Sequence, residues 1–193
     1  MKFNKSHLLN TMAKPLVIST QILLTAAMCL SLTSCRDGQV DEGCYWGPIP
    51  TKMERLKELK DKGVKTIVVC RLNPTTRVEN NAHELGMNFV HIPTGLFVNP
   101  SEENIQKFVK VARDPALRPL YICDQVARDR TQFYAGIYGM VSQKWTADHA
   151  SYQMYRNGLR HWWPWFYKYR HIIKDDEQEI HGETAFKDTS ATH

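Results

Sequence analysis

Four ionisable side chains crowd into seven residues: Asp124, Arg128, Asp129 and Arg130 follow directly on the apolar run Leu120–Cys123. Pro119 precedes that run, which reads as a buried strand, and Phe133, Ile137, Tyr138 and Val141 recur after it at helical spacing. A strand that breaks into a short loop and then a helix gathers backbone amides and a helix N-terminus around one point, an arrangement that holds anions. Arginine adds a guanidinium whose fork matches phosphate or carboxylate. Asp124, Gln125, Val126, Ala127, Arg128, Asp129, Arg130 and Thr131 are therefore the candidate site. Its chemistry depends on the residue at the strand's end, and here that residue is a carboxylate, Asp124.

On these residues the segment resembles the phosphate loop of the cysteine-dependent phosphatases of dual-specificity and tyrosine type. In that family a buried strand runs into His-Cys-x5-Arg-Thr/Ser-Gly, and the Cys thiolate attacks the phosphate. Anchored on Asp129, Arg130 and Thr131, the family His falls on Cys123 and the nucleophile on Asp124. The loop Gly becomes Ala127 and the Gly after Thr becomes Gln132, while Arg130 is kept. The resemblance runs from Tyr45 to Arg160 and includes, in order, Tyr45–Pro50, Leu56–Arg71, Glu84–Pro93, Pro100–Glu103, Arg113–Pro119 and Lys144–Ala150. It implies an α/β domain with a mostly parallel central sheet flanked by helices on both faces, and a member degenerate at its nucleophile. A rhodanese-like domain is the weaker fold alternative, opposed by the long helical C-terminal half and the Asp-Arg-Thr exit from the loop.

A carboxylate at Asp124 satisfies the loop amides much as a thiolate does, so the fold need not suffer. Phosphate affinity is expected to suffer: at ~4 Å and an effective dielectric of ~20, repulsion between two unit charges costs about 4 kcal/mol. Arg130 is equally free to close onto Asp124. As a nucleophile Asp124 would need Mg²⁺ of the kind aspartyl-phosphate chemistry uses, and no carboxylate cluster for it stands nearby in sequence. Cys123 is one residue too far from Arg130 for the family spacing, and its side chain is on the opposite side of the strand from its neighbour's. The family's general acid, an Asp after the second strand, has no counterpart in Thr94–Pro100; Glu102 and Glu103 stand where acids complement a helix N-terminus. With nucleophile and acid both missing, the reading is a catalytically inactive pseudophosphatase that binds or scaffolds. The alternative is an active phosphoester hydrolase with a non-standard nucleophile.

The elements that must position this loop follow from patterning. Met53, Leu56 and Leu59 share a helical face ended by Gly63, and Val64–Val69 reads as a buried strand. Val78–Leu85 is a short helix stopped by Gly86, and Asn88–Ile92 a second strand. Asn99 offers an N-cap with Pro100 at the first helical position, ahead of Ile105, Phe108, Val109 and Ala112. Thr146 caps a helix with Ala147, Ala150 and Met154 inward. The aromatic run His161–His171 reads as a final helix packed on the core, with an interfacial aromatic belt as the alternative. No internal repeat is present.

The N-terminus addresses the domain. Lys2, Lys5 and Lys14 precede an apolar run from Pro15 to Leu32 that ends in Leu32-Thr-Ser-Cys35, the bacterial lipoprotein pattern. Residues 1–34 are therefore expected to be a cleaved signal and Cys35 the lipidation site, with an uncleaved anchor or plain secretion as alternatives. Residues 35–44 read as a tether, 45–173 as the phosphatase-like domain and 174–193 as a disordered polar tail. Removing the signal lysines from 25 basic residues leaves 22 against 20 acidic, a net +2, so nothing calls for nucleic acid. Cys44, Cys70 and Cys123 form no C-x-x-C pair, so neither zinc nor another cofactor is expected, and buried free thiols are the reading for Cys70 and Cys123. The expected location is the extracytoplasmic, periplasmic side of a bacterial membrane, with a protein or phosphorylated ligand as unidentified partner.

Overall fold

The computed structural model describes residues 37–73, 75–95, 97–160 and 165–182, with the side chains of Trp165 and Phe166 left aside. These residues form a five-stranded sheet of β1 (Gly38–Asp41), β2 (Cys44–Pro48), β3 (Thr66–Val69), β4 (Asn88–His91) and β5 (Leu120–Asp124). The strand order is β1-β2-β5-β3-β4, parallel throughout except that β1 runs antiparallel to β2. The α/β architecture with a mostly parallel central sheet is the one expected.

Both faces are covered, which is why β3 and β5 read as unbroken apolar runs. On one face Ile67 and Val69 of β3 and Tyr121 and Cys123 of β5 pack with Leu56 and Leu59 of α1 (Met53–Asp61) and Val78 and Ala82 of α2 (Thr76–Glu84). On the other, Val68, Leu120 and Ile122 meet Ile105 and Phe108 of α3 (Glu102–Arg113) and Phe133, Tyr134 and Ile137 of α4 (Asp129–Gln143). Next in the chain are α5 (Ala147–Arg156), capped as expected by the Thr146 hydroxyl, then α6 (Trp165–Asp175) and α7 (Glu177–His181). The helix α4 is buried on every side from Asp129 through Met140, so the loop it opens is fixed by the middle of the core.

Three local expectations change. Residues 38–44 are not a tether: Gly38 pairs with Trp46 and Gln39 with Tyr45, making an edge hairpin that protects β2. A four-residue strand carrying Gln39 and Asp41 has too little apolar content to announce itself. The cap of α3 is Ser101 rather than Asn99; its hydroxyl accepts the Asn104 amide at 3.3 Å, leaving Pro100 outside the helix. Residues 174–182 do not belong to a disordered tail. They complete α6 and form α7, where Ile180 is fully buried and Arg113 donates to the carbonyls of Glu179 and Ile180 at 2.9 and 3.1 Å. One buried isoleucine in a polar stretch was too weak a signal for a helix. The signal segment, Cys35, residues 161–164 and residues 183–193 lie outside the described residues.

Candidate active-site loop

The strand β5 delivers Asp124 to the carboxyl edge of the sheet, between β2 and β3. Its carboxylate is 1 % exposed, and both oxygens are engaged. The amides of Val126 and Ala127 donate to Oδ1 at 2.9 and 2.7 Å, and Nε of Arg130 donates to Oδ2 at 3.2 Å. The loop closes so tightly because Ala127 adopts the left-handed conformation, φ 54°, a turn for which glycine is the default residue. Arg130 is itself buried, and its Nη1 donates to the Thr94 carbonyl at 3.1 Å. Asp124 and Arg130 thus meet as the spacing anticipates, with the carboxylate held by two loop amides and the guanidinium.

The remaining loop residues divide by exposure. Gln125, Val126 and Arg128 are exposed, Gln125 accepting from Arg71 at 3.2 Å. Asp129 and Thr131 are buried in the first turn of α4. Asp129 is not part of the anion ring. It pairs with Arg160, whose Nε donates to its Oδ2 at 3.1 Å and whose backbone amide lies 3.3 Å from its Oδ1. Gln132, which stands where the family carries glycine, donates to the Ala127 carbonyl at 3.3 Å and braces the loop from behind.

The segment facing the loop supplies carbonyls and hydroxyls, not acids. The Thr94 hydroxyl and the Tyr134 hydroxyl are 2.7 Å apart, fastening the strand after β4 to α4. Burial first, and the neighbouring Cys70 next, push the Tyr134 phenol well above its usual range, so it stays protonated and neutral. Glu102 and Glu103 occupy the first turn of α3, where Glu102 accepts from Gln106 at 3.2 Å. Cys70 and Cys123 are buried free thiols, and desolvation raises both far above the ordinary thiol range. Cys123 shares the face of α1 and α2 with Tyr121, not the loop side, and its Sγ lies 3.5 Å from the Val68 carbonyl. Among the described residues no three His, Cys, Asp or Glu side chains converge as metal ligands. Arg160, Thr94 and Tyr134 were not evident from sequence, being joined to the loop across 31 to 40 residues without a motif to link them.

Comparison with known proteins matches this picture at the level of family and fold. Residues 34–159 match a family described as DSP-PTPase phosphatase fused to NAD+ kinase. No curated protein compared with the chain matches it. Among solved structures, the chain is similar to the catalytic core of the PP-IP phosphatase Siw14 from S. cerevisiae, solved with citrate. The two are 18 % identical over 76 % of this chain and 90 % of that one, with a TM-score of 0.61. It is also similar to TpbA of P. aeruginosa, at 17 % identity over 79 % of this chain and 98 % of that one, TM-score 0.55. PTPMT1 gives 14 % identity over 79 % of this chain and the whole of that one, TM-score 0.60.

Proposed function

The chain belongs to the phosphatase-domain family whose profile spans residues 34–159, and from that premise we propose that it is an inactive member, a pseudophosphatase that serves as a binding or scaffolding module. One observation carries the reading: the Asp124 carboxylate accepts two loop amides and the Arg130 guanidinium, so these donors are already engaged by an internal anion. A substrate phosphate must displace this internal anion or sit beside it, and both are unfavourable in a desolvated loop. The acid-free segment Thr94–Pro100 leaves no group there to protonate a leaving oxygen. The basic start, apolar run and Leu-Thr-Ser-Cys35 ending support a module lipid-anchored on the extracytoplasmic side of a bacterial membrane. Its partner is a protein or phosphorylated ligand in that envelope.

Hydrolysis of a generic aryl phosphate tests the inactivity, with wild type beside Asp124→Cys, which reinstates the thiol, and Asp124→Asn. Wild type is expected to show no turnover above a loop-scrambled control, with or without Mg²⁺. Robust wild-type turnover that disappears in Asp124→Asn establishes an aspartyl nucleophile and overturns the reading.

A further inference from the structure

We infer that the carboxyl edge of the sheet, where the loop opens, is the face of this domain that rests on the lipid bilayer. The inference builds on the lipoprotein reading of Cys35 and adds an orientation that a lipid anchor alone does not give.

The first support is where the chain enters the fold. The strand β1 runs antiparallel to β2, so its start lies beside the end of β2: Gly38 pairs with Trp46, while Pro48 pairs with Asp124. Asp37 is fastened at that edge. It pairs with Arg55, and the Tyr121 hydroxyl lies 3.2 Å from its Oδ1 and 2.9 Å from the Pro48 carbonyl. Gly47 makes this possible, since a Cβ there would fall 2.2 Å from both the Asp37 carboxylate and the Tyr121 oxygen. Cys35 precedes Asp37 by two residues, a reach of about 7 Å. Acyl chains on Cys35 therefore enter the bilayer close to the loop edge and far from the amino ends of the parallel strands.

The second support is independent of the anchor. Apart from three tyrosines, the exposed large hydrophobic residues among the described ones are Leu72, Phe97, Val98 and Val126, each 56–60 % exposed. They follow β3, β4 and β5, three strands adjacent in the sheet and parallel, so all four stand at the same edge. Hydrogen bonds tie these connections to one another: Arg71 donates to Gln125, the His91 ring meets the Arg71 carbonyl at 2.7 Å, and Arg130 donates to Thr94. Singly scattered apolar residues need no explanation, but a set confined to one edge does. The exposed Arg128 beside Val126 suits an anionic headgroup layer.

The full-length protein, processed in its bacterial host and purified in detergent, tests the orientation. Leu72→Cys, Val98→Cys and Val126→Cys are each labelled with an environment-sensitive fluorophore; Cys44, Cys70 and Cys123 are buried and stay unlabelled, Cys29 leaves with the signal and Cys35 carries the acyl groups. Lys62→Cys, at the amino edge before β3, and Tyr152→Cys, on α5, serve as comparisons. After reconstitution into phosphatidylethanolamine–phosphatidylglycerol vesicles containing a quencher on the acyl chains, the three loop-edge probes are expected to shift blue and lose emission, and the other two to remain as in detergent-free solvent. Equal quenching at all five positions, or quenching at Tyr152→Cys in place of the loop edge, overturns the orientation while leaving the anchor intact. An intact mass showing a mature chain without acyl groups overturns the anchor and the orientation together.

Discussion

Asp124 and Arg130 form a pair in which neither side chain can be removed without consequence for the other. Arg130 is 9 % exposed and donates to Asp124 and to Thr94, so Arg130→Ala leaves a desolvated carboxylate with two amides and no cation. Loss of one partner from such a pair costs on the order of 3 kcal/mol, and denaturant unfolding of the variant is expected to show a destabilisation of that size. Asp124→Ala acts in the opposite sense at the binding level, because it releases Arg130 and the amides of Val126 and Ala127. Calorimetry is expected to find tighter inorganic phosphate binding by Asp124→Ala than by wild type. Stronger binding by wild type would sink the internally occupied loop. This pairing was legible in the sequence, since both residues belong to one strand–loop–helix segment whose spacing is set by local geometry. The Asp129–Arg160 pair was not, because it depends on how α5 returns the chain to the start of α4.

At the scale of elements, what could be read was what repeats. The β-branched run of β3, the alternating faces of β5 and the apolar stripe of α3 each leave a period in the sequence. What could not be read was held in place by a few side-chain contacts between segments distant in sequence. In β1, Asp41 accepts from Tyr138 at 3.0 Å and from the Gly43 amide at 2.8 Å, and in α7 Ile180 is buried in the core with residues of α4. Neither contact leaves a pattern. The helix α7 therefore makes a sharp test of packing against composition. Ile180→Ala is expected to cost about 2–5 kcal/mol, the range for emptying a buried branched side chain. A change within experimental error would return residues 177–181 to the disordered tail that their polarity suggests. Thermal or urea unfolding of the two proteins distinguishes the outcomes.

At the scale of the whole molecule, the proposed reading joins a membrane address to a site without its two reacting groups. If Cys35 is lipidated, Cys35→Ser is expected to appear in the soluble fraction or to accumulate with its signal uncleaved, as read by fractionation and intact mass. A Cys35→Ser protein that stays membrane-bound at the wild-type mature mass contradicts the lipoprotein reading. The phosphatase fold is present with Asp124 at the end of β5, where its carboxylate accepts the Val126 and Ala127 amides just ahead of the central helix. Retention of the fold is thus uninformative about turnover, and the chemistry of the individual side chains decides it.

The edge hairpin has a mechanical meaning. A pull applied to the chain ahead of Asp37 meets its ties to Arg55 and Tyr121 first, and then the β1–β2 ladder, whose antiparallel bonds run across the strands. The ladder ends at Asp41, where the carboxylate is held by Tyr138 and by the side chains of Ser142 and Gln143 on α4. The four residues of β1 span about 13 Å of extended chain between the Asp37 ties and the Asp41 carboxylate. The strand β1 is thus pinned at both ends, through Asp37 to α1 and β5 and through Asp41 to α4, so a pull on the chain ahead of it is met by two separate sets of side-chain bonds before it acts on β2.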